Sequence, residues 1–100
     1  MSAPTAAQKR RFSFIAEYGC IACRQDGFFG TPGEIHHCKR HGKRDHNRVA
    51  MLCPVHHKMT TAMPGILNRH RDRTEFAARY GDDDELHRMT CALLGETCAT

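Results

Sequence analysis

Residues 34–58 read EIHHCKRHGKRDHNRVAMLCPVHHK, and the way apolar and charged stretches alternate in them sets the local architecture. Glu34 to His37 reads as a short strand, because it follows a loop from Gly27 to Gly33 that holds Gly30 and Pro32 as well. Lys39 to Asn47 is polar and charged, as the loop of a hairpin is, and the apolar run Val49 to Leu52 is the return strand. Pro54 suits the first position of a helix, where its missing N–H costs nothing. That helix would carry His56, His57 and Lys58 and stop before Pro64 and Gly65. Strand, loop, strand and helix therefore follow one another with little chain between them.

Outward from this unit, Ala6 to Tyr18 can form a helix with Phe12, Ile15 and Ala16 on one face, ended by Gly19. Thr74 to Tyr80 is helical with Phe76 and Tyr80 four apart, and Gly81 stops it. A last helix from Asp83 to Leu94 puts acidic residues at its positive end and Leu86, Met89 and Leu93 on one face. Both late helices read as scaffold. The fold class is α+β in one domain over 1–100, with an N-terminal helix at 1–18, a core at 19–63 and C-terminal helices at 66–95.

A chain of 100 residues buries too little surface to hold itself together easily, so an added clamp is expected. Six cysteines and eight histidines without tryptophan favour metal over a large aromatic core. The rival clamp is a disulfide framework of a secreted scaffold. Against it, MSAPTAAQKRRFSF has no apolar run of signal-peptide length, and no stretch approaches a membrane span, which points to a cytoplasmic protein without a membrane partner.

Cys20-Ile-Ala-Cys23 and Cys53-Pro-Val-His56 are two knuckles, each with the two-residue gap that lets a tight turn aim both side chains at one tetrahedral ion. They predict a structural zinc (Zn2+) held by Cys20, Cys23, Cys53 and His56. The bland alternative, buried thiols and a core histidine, needs more apolar core than this chain has. His57 follows His56 directly, and neighbours on a helix diverge by about 100°. One ion cannot easily take both, so His57 is free to serve a second metal with His36, leaving His37 as general base. Such a trio supplies what phosphodiester hydrolysis needs: a cation, a base for water and an open coordination position.

The net charge of +4 is modest, but Lys39, Arg40, Lys43, Arg44 and Arg48 crowd one segment, and Arg69, Arg71, Arg73 and Arg79 a later one. A basic middle suits a phosphate backbone, with Lys39, Arg40, Lys43, Arg44 and Lys58 as DNA-binding residues and salt-sensitive binding as the consequence. Taken alone, such a run is also simply a solvated face.

Glu34-Ile-His-His37, the basic loop and Leu52-Cys-Pro-Val-His-His-Lys58 together resemble the HNH, or ββα-metal (His-Me finger), endonucleases. More narrowly, Thr31-Pro-Gly-Glu-Ile-His-His37, Arg44-Asp-His46, the LCPVHH segment and Phe76 to Gly81 resemble the phage recombination-enhancement nucleases that depend on a RecA-type recombinase. The likeness covers about residues 18 to 95. It implies a ββα-metal core, with His37 at the base position and His36 and His57 at the metal positions. It also implies Mg2+ or Mn2+ as catalytic ion, and products ending in 5′-phosphate and 3′-hydroxyl. The narrower likeness implies a RecA-type recombinase filament as partner, and a phage origin with the host cytoplasm as location. Where such sequences carry asparagine, five residues before Cys53, this chain has Arg48; Asn47, one residue earlier, is the catalytic candidate in its place.

Cys38 and His41 share a further CxxH spacing and, with His46 or His70, offer donors for another ion; read alone, Cys38 is a small buried residue. His46 and His70 also offer contacts to phosphate or to the catalytic metal. His87, Cys91 and Cys98 read as ordinary helix residues. Two other functions compete with a DNA endonuclease. A zinc-stabilised nucleic-acid-binding module leaves His36, His37 and His57 without a task, and a zinc-held protein adaptor accounts for the metal alone.

Overall fold

The computed structural model describes residues 3–97, so Cys98 lies outside the described residues. Helix α1 (Ala6–Tyr18) starts at Thr5, whose hydroxyl accepts from Gln8 N while the Gln8 side chain returns a bond to Thr5 N. Gly19 ends it with φ 75°, and a side chain there would stand 2.6 Å from the backbone of Gly30 and Thr31. The first knuckle lies on a short helix that the sequence reading did not anticipate, α2 (Ile21–Gln25). Strands β1 (Glu34–His37) and β2 (Val49–Leu52) pair antiparallel with Glu34 opposite Leu52 and His37 opposite Val49. The loop between them turns at His41 and Gly42, both at positive φ, with Arg40 and Lys43 exchanging backbone bonds across the turn.

Helix α3 (Pro54–His57) is a single turn, shorter than expected. Lys58 already has extended backbone, and a 3₁₀ turn (Met59–Thr61) follows. Helix α4 (Arg73–Tyr80) leads into α5 (Asp83–Leu94), capped by Asp82 and Glu85 acting reciprocally and closed by Gly95 at φ 70°.

Side chains alternate along a strand, so the register places His36 and Ala50 on one face of the sheet and His37 and Val49 on the other. The first face packs Ala50 and Leu52 against Cys20 to Ala22, Phe76, Tyr80 and Leu86. The second packs Val49 and Met51 against Ile15, Phe12, Ile35 and Leu94. Ala16, expected on the apolar face of α1, is exposed. Phe76 is fully buried in the cluster that holds the first knuckle and Leu86 of α5, so Phe76→Ala should cost about 3–5 kcal/mol of folding free energy. Urea unfolding measures this, and a loss below about 1 kcal/mol would mean that the first face is not the stabilising core. No described helix is long and apolar enough to cross a membrane.

Candidate functional site

Two donor clusters meet at α3. In the first, the sulfurs of Cys20, Cys23 and Cys53 and a ring nitrogen of His56 all lie within 4.8 Å of one another. Two sulfurs bound at about 2.3 Å to a tetrahedral zinc stand about 3.8 Å apart. Cys23 Sγ and Cys53 Sγ are 3.8 Å apart. His56 donates from Nδ1 to the Leu67 carbonyl at 2.9 Å, which leaves its Nε2 as the ligand atom. Burial pushes the Cys20 thiol up to about 12 and raises that of Cys23 as well, so without a cation the cluster would hold neutral thiols. A divalent ion reverses that preference by binding thiolate. The donor set fits zinc, and the described cysteines form no disulfide.

The second cluster is His36, His57 and His70, again within 4.8 Å of one another. Asp83 Oδ1 is 2.9 Å from His36 Nε2, and Glu34 Oε1 is 2.8 Å from His57 Nδ1. Ionised carboxylates can only accept, so both of these ring nitrogens carry the proton. Burial opposes ionisation of Asp83, yet hydrogen bonds from His36 and Arg69 outweigh it and hold the carboxyl at about 2. Glu34 is likewise held below its usual range by His57 and Lys58 against its desolvation. The remaining nitrogens, His36 Nδ1 and His57 Nε2, therefore face each other as bare lone pairs at 3.2 Å. Two lone pairs at that distance repel, and a cation between them relieves the repulsion. Imidazoles binding one tetrahedral ion at 2.0–2.1 Å have nitrogens about 3.3 Å apart, so the cluster fits a metal.

Burial lowers the pKa of His57 and His70, and their mutual repulsion with His36 adds to it, keeping both in the neutral form that binds metal. His36 is buried whereas His70 is exposed, so the cluster opens to solvent on the His70 side.

The sequence reading left His70 open and missed Asp83. Both depend on a loop and a helix start that meet the hairpin only in three dimensions. Asn68, fully buried, donates to the Val55 and Lys58 carbonyls and accepts from the backbone N–H groups of His70 and Arg71, which pins the loop to α3. Helix α5, read as scaffold, delivers two acids to the hairpin side at its start. Asp83 holds His36 and Arg69, and Asp84 pairs with Arg48.

His37 stands on the opposite face of the sheet from His36, and its Nε2 is 3.0 Å from His46 Nδ1. Burial, Arg44 and His46 lower its pKa, favouring the neutral base form. Asn47 contacts α1 instead, accepting from Gln8 Nε2 at 3.3 Å and, through its carbonyl, from Arg11. The bracing between loop and scaffold falls to Arg48, which donates to the Cys38 carbonyl at 3.3 Å and pairs with Asp84. Arg48 is thus buried and does not belong to the basic surface. Arg69 and Arg79 are likewise committed, to Asp83 and Asp26.

Lys39, Arg40, Lys43 and Arg44 are exposed, and the last three line an open groove of about 1160 Å³ that also includes His46 and Asn47. The groove includes none of the three clustered histidines, but it does include His46, the partner of His37. Lys58 lies outside it, paired with Glu34 at 3.1 Å. Cys38 is buried beside His36 and Asp83, while His41 is at the exposed tip of the hairpin, so the CxxH pair does not form a site. Comparison with curated proteins finds no match. Residues 4–95, nearly the whole chain, match the recombination enhancement, RecA-dependent nucleases, and the chain belongs to that family.

Proposed function

We propose that the chain is a metal-dependent DNA endonuclease of the HNH, ββα-metal type, acting as one nuclease domain on DNA associated with a RecA-type recombinase filament. The observation that carries this reading is the pair of bare imidazole nitrogens of His36 and His57 facing each other at 3.2 Å, each braced by a carboxylate. His70 adds a third donor. Membership of a nuclease family supports it.

Cys20, Cys23, Cys53 and His56 would hold structural zinc, which fixes α3 against the first knuckle. His36, His57 and His70 would hold the catalytic ion; of magnesium and manganese, three imidazole donors favour manganese. When bound, that ion supplies positive charge to the phosphate and to the departing oxygen. Arg40, Lys43 and Arg44 hold the phosphate backbone along the groove, with the exposed Lys39 beside them in sequence. His37 takes a proton from water, whose oxygen attacks phosphorus in line. The bond from phosphorus to the 3′ oxygen breaks and that oxygen takes a proton from solvent, leaving a 5′-phosphate and a 3′-hydroxyl.

Nicking of supercoiled plasmid and of single-stranded circles, with manganese, magnesium or chelator and with or without recombinase filament, tests the proposal. Cutting that needs metal is the expected result, and His70→Ala should reduce both the rate and the binding of the second metal equivalent. Tight DNA binding without cutting under any of these conditions would overturn the nuclease in favour of a zinc-stabilised binding module.

A further inference from the structure

His46 does something that neither the metal clusters nor phosphate binding requires. Its Nδ1 lies 3.0 Å from His37 Nε2, the rings are 5.2 Å apart at 58°, and its far side packs edge-on against Phe12 of α1 at 6.2 Å. Half-buried, it is held from both sides. A neutral imidazole has two tautomers, and only one nitrogen of each can accept a proton. Which nitrogen of His37 is bare is therefore set by what its other nitrogen meets.

We infer that His46 is the positioning residue of the base: His46 Nδ1 accepts a hydrogen bond from His37 Nε2–H and so keeps His37 Nδ1 bare for water. The inference rests on His37 being the general base. When His37 Nδ1 gains the proton from water, the Nε2–H bond to His46 is kept, so ring orientation is the same before and after transfer. His46 and the phosphate-binding Arg44 sit on the same loop, so the segment that grips the backbone also aligns the base.

The test pairs kinetics with nitrogen NMR of the chain loaded with zinc and magnesium, both diamagnetic. Long-range correlation of ring protons with ring nitrogens in the wild type should show His37 protonated at Nε2 and bare at Nδ1. His46→Ala should mix the two tautomers and lower kcat roughly 10–100-fold, with KM and metal content unchanged. His46→Asn, whose side-chain oxygen can stand near the lost Nδ1, should recover much of both. His46→Phe keeps a ring against Phe12 but removes the acceptor, and carries the same expectation as alanine if that variant does not fold.

A wild-type His37 protonated at Nδ1 would overturn the inference. So would an unchanged kcat in His46→Phe, or a loss confined to KM, which would make His46 a phosphate contact. A wild type that never cuts but shows the single His37 tautomer, lost in His46→Phe, would instead remove the nuclease reading and keep the coupling between the two rings.

Discussion

His37→Ala should lower DNA cleavage roughly 10²–10⁴-fold, the range that a general base contributes, while the protein stays folded and keeps both metal equivalents. The structure separates these outcomes because His37 and His36 project from opposite faces of β1. Removing His37 leaves the bond of His36 to Asp83 and the approach of His36 to His57 untouched. It also leaves Val49 and Met51 packed against Ile15. Plasmid nicking, with metal content and circular dichroism measured on the same preparation, checks the prediction. A variant cutting near the wild-type rate would show that another group activates water. A variant that loses the second metal would make His37 a ligand instead.

Cys20→Ala should unfold the domain. Structural zinc contributes apparent binding free energies of about 10–16 kcal/mol in small metal domains, as large as the whole stability of a typical one, about 5–15 kcal/mol. Cys20 is fully buried at the start of α2, and the ion it would share with Cys53 and His56 is the link between the first knuckle and α3. Loss of that link should also displace His57, which adjoins His56, and with it the second donor cluster. Cys38→Ala is the control, since Cys38 is just as buried but outside the four-donor cluster. It should cost the ordinary 0.5–3 kcal/mol or so and leave zinc bound. Thermal unfolding followed by circular dichroism, with zinc determined on each protein, separates the two. A folded Cys20→Ala protein with a full equivalent of zinc at the knuckles would remove the assignment.

The elements that could be read from the chain are those whose signals are local. Glu34–His37, Val49–Leu52, Ala6–Tyr18 and Asp83–Leu94 have the bounds expected from alternation, caps and breakers. The knuckles could be read because a two-residue gap is itself a short-range geometry. The divergence of His56 and His57 into separate clusters was likewise a matter of helical pitch. The helix after Pro54 was overextended, because its ending at Lys58 is set by Asn68, which takes the Val55 and Lys58 carbonyls from another part of the chain.

By itself, then, the sequence determined the α+β class, the hairpin with its return strand, the four sulfur and nitrogen donors of the first cluster and the closeness of His36 to His57. Each element and each knuckle rests on a spacing that matches a helix turn or a strand pleat, whereas joining knuckle to knuckle and His36 to His57, 30 and 21 residues apart, rested on donor chemistry. Only the tertiary structure decided that His70 completes the second cluster, that Asp83 and Glu34 aim its nitrogens, that Arg48 braces the loop in place of Asn47, and that His46 meets His37. Each of those depends on side chains brought together by packing on the two faces of one small sheet. An acid at a helix start looks the same in sequence whether it meets solvent or an imidazole.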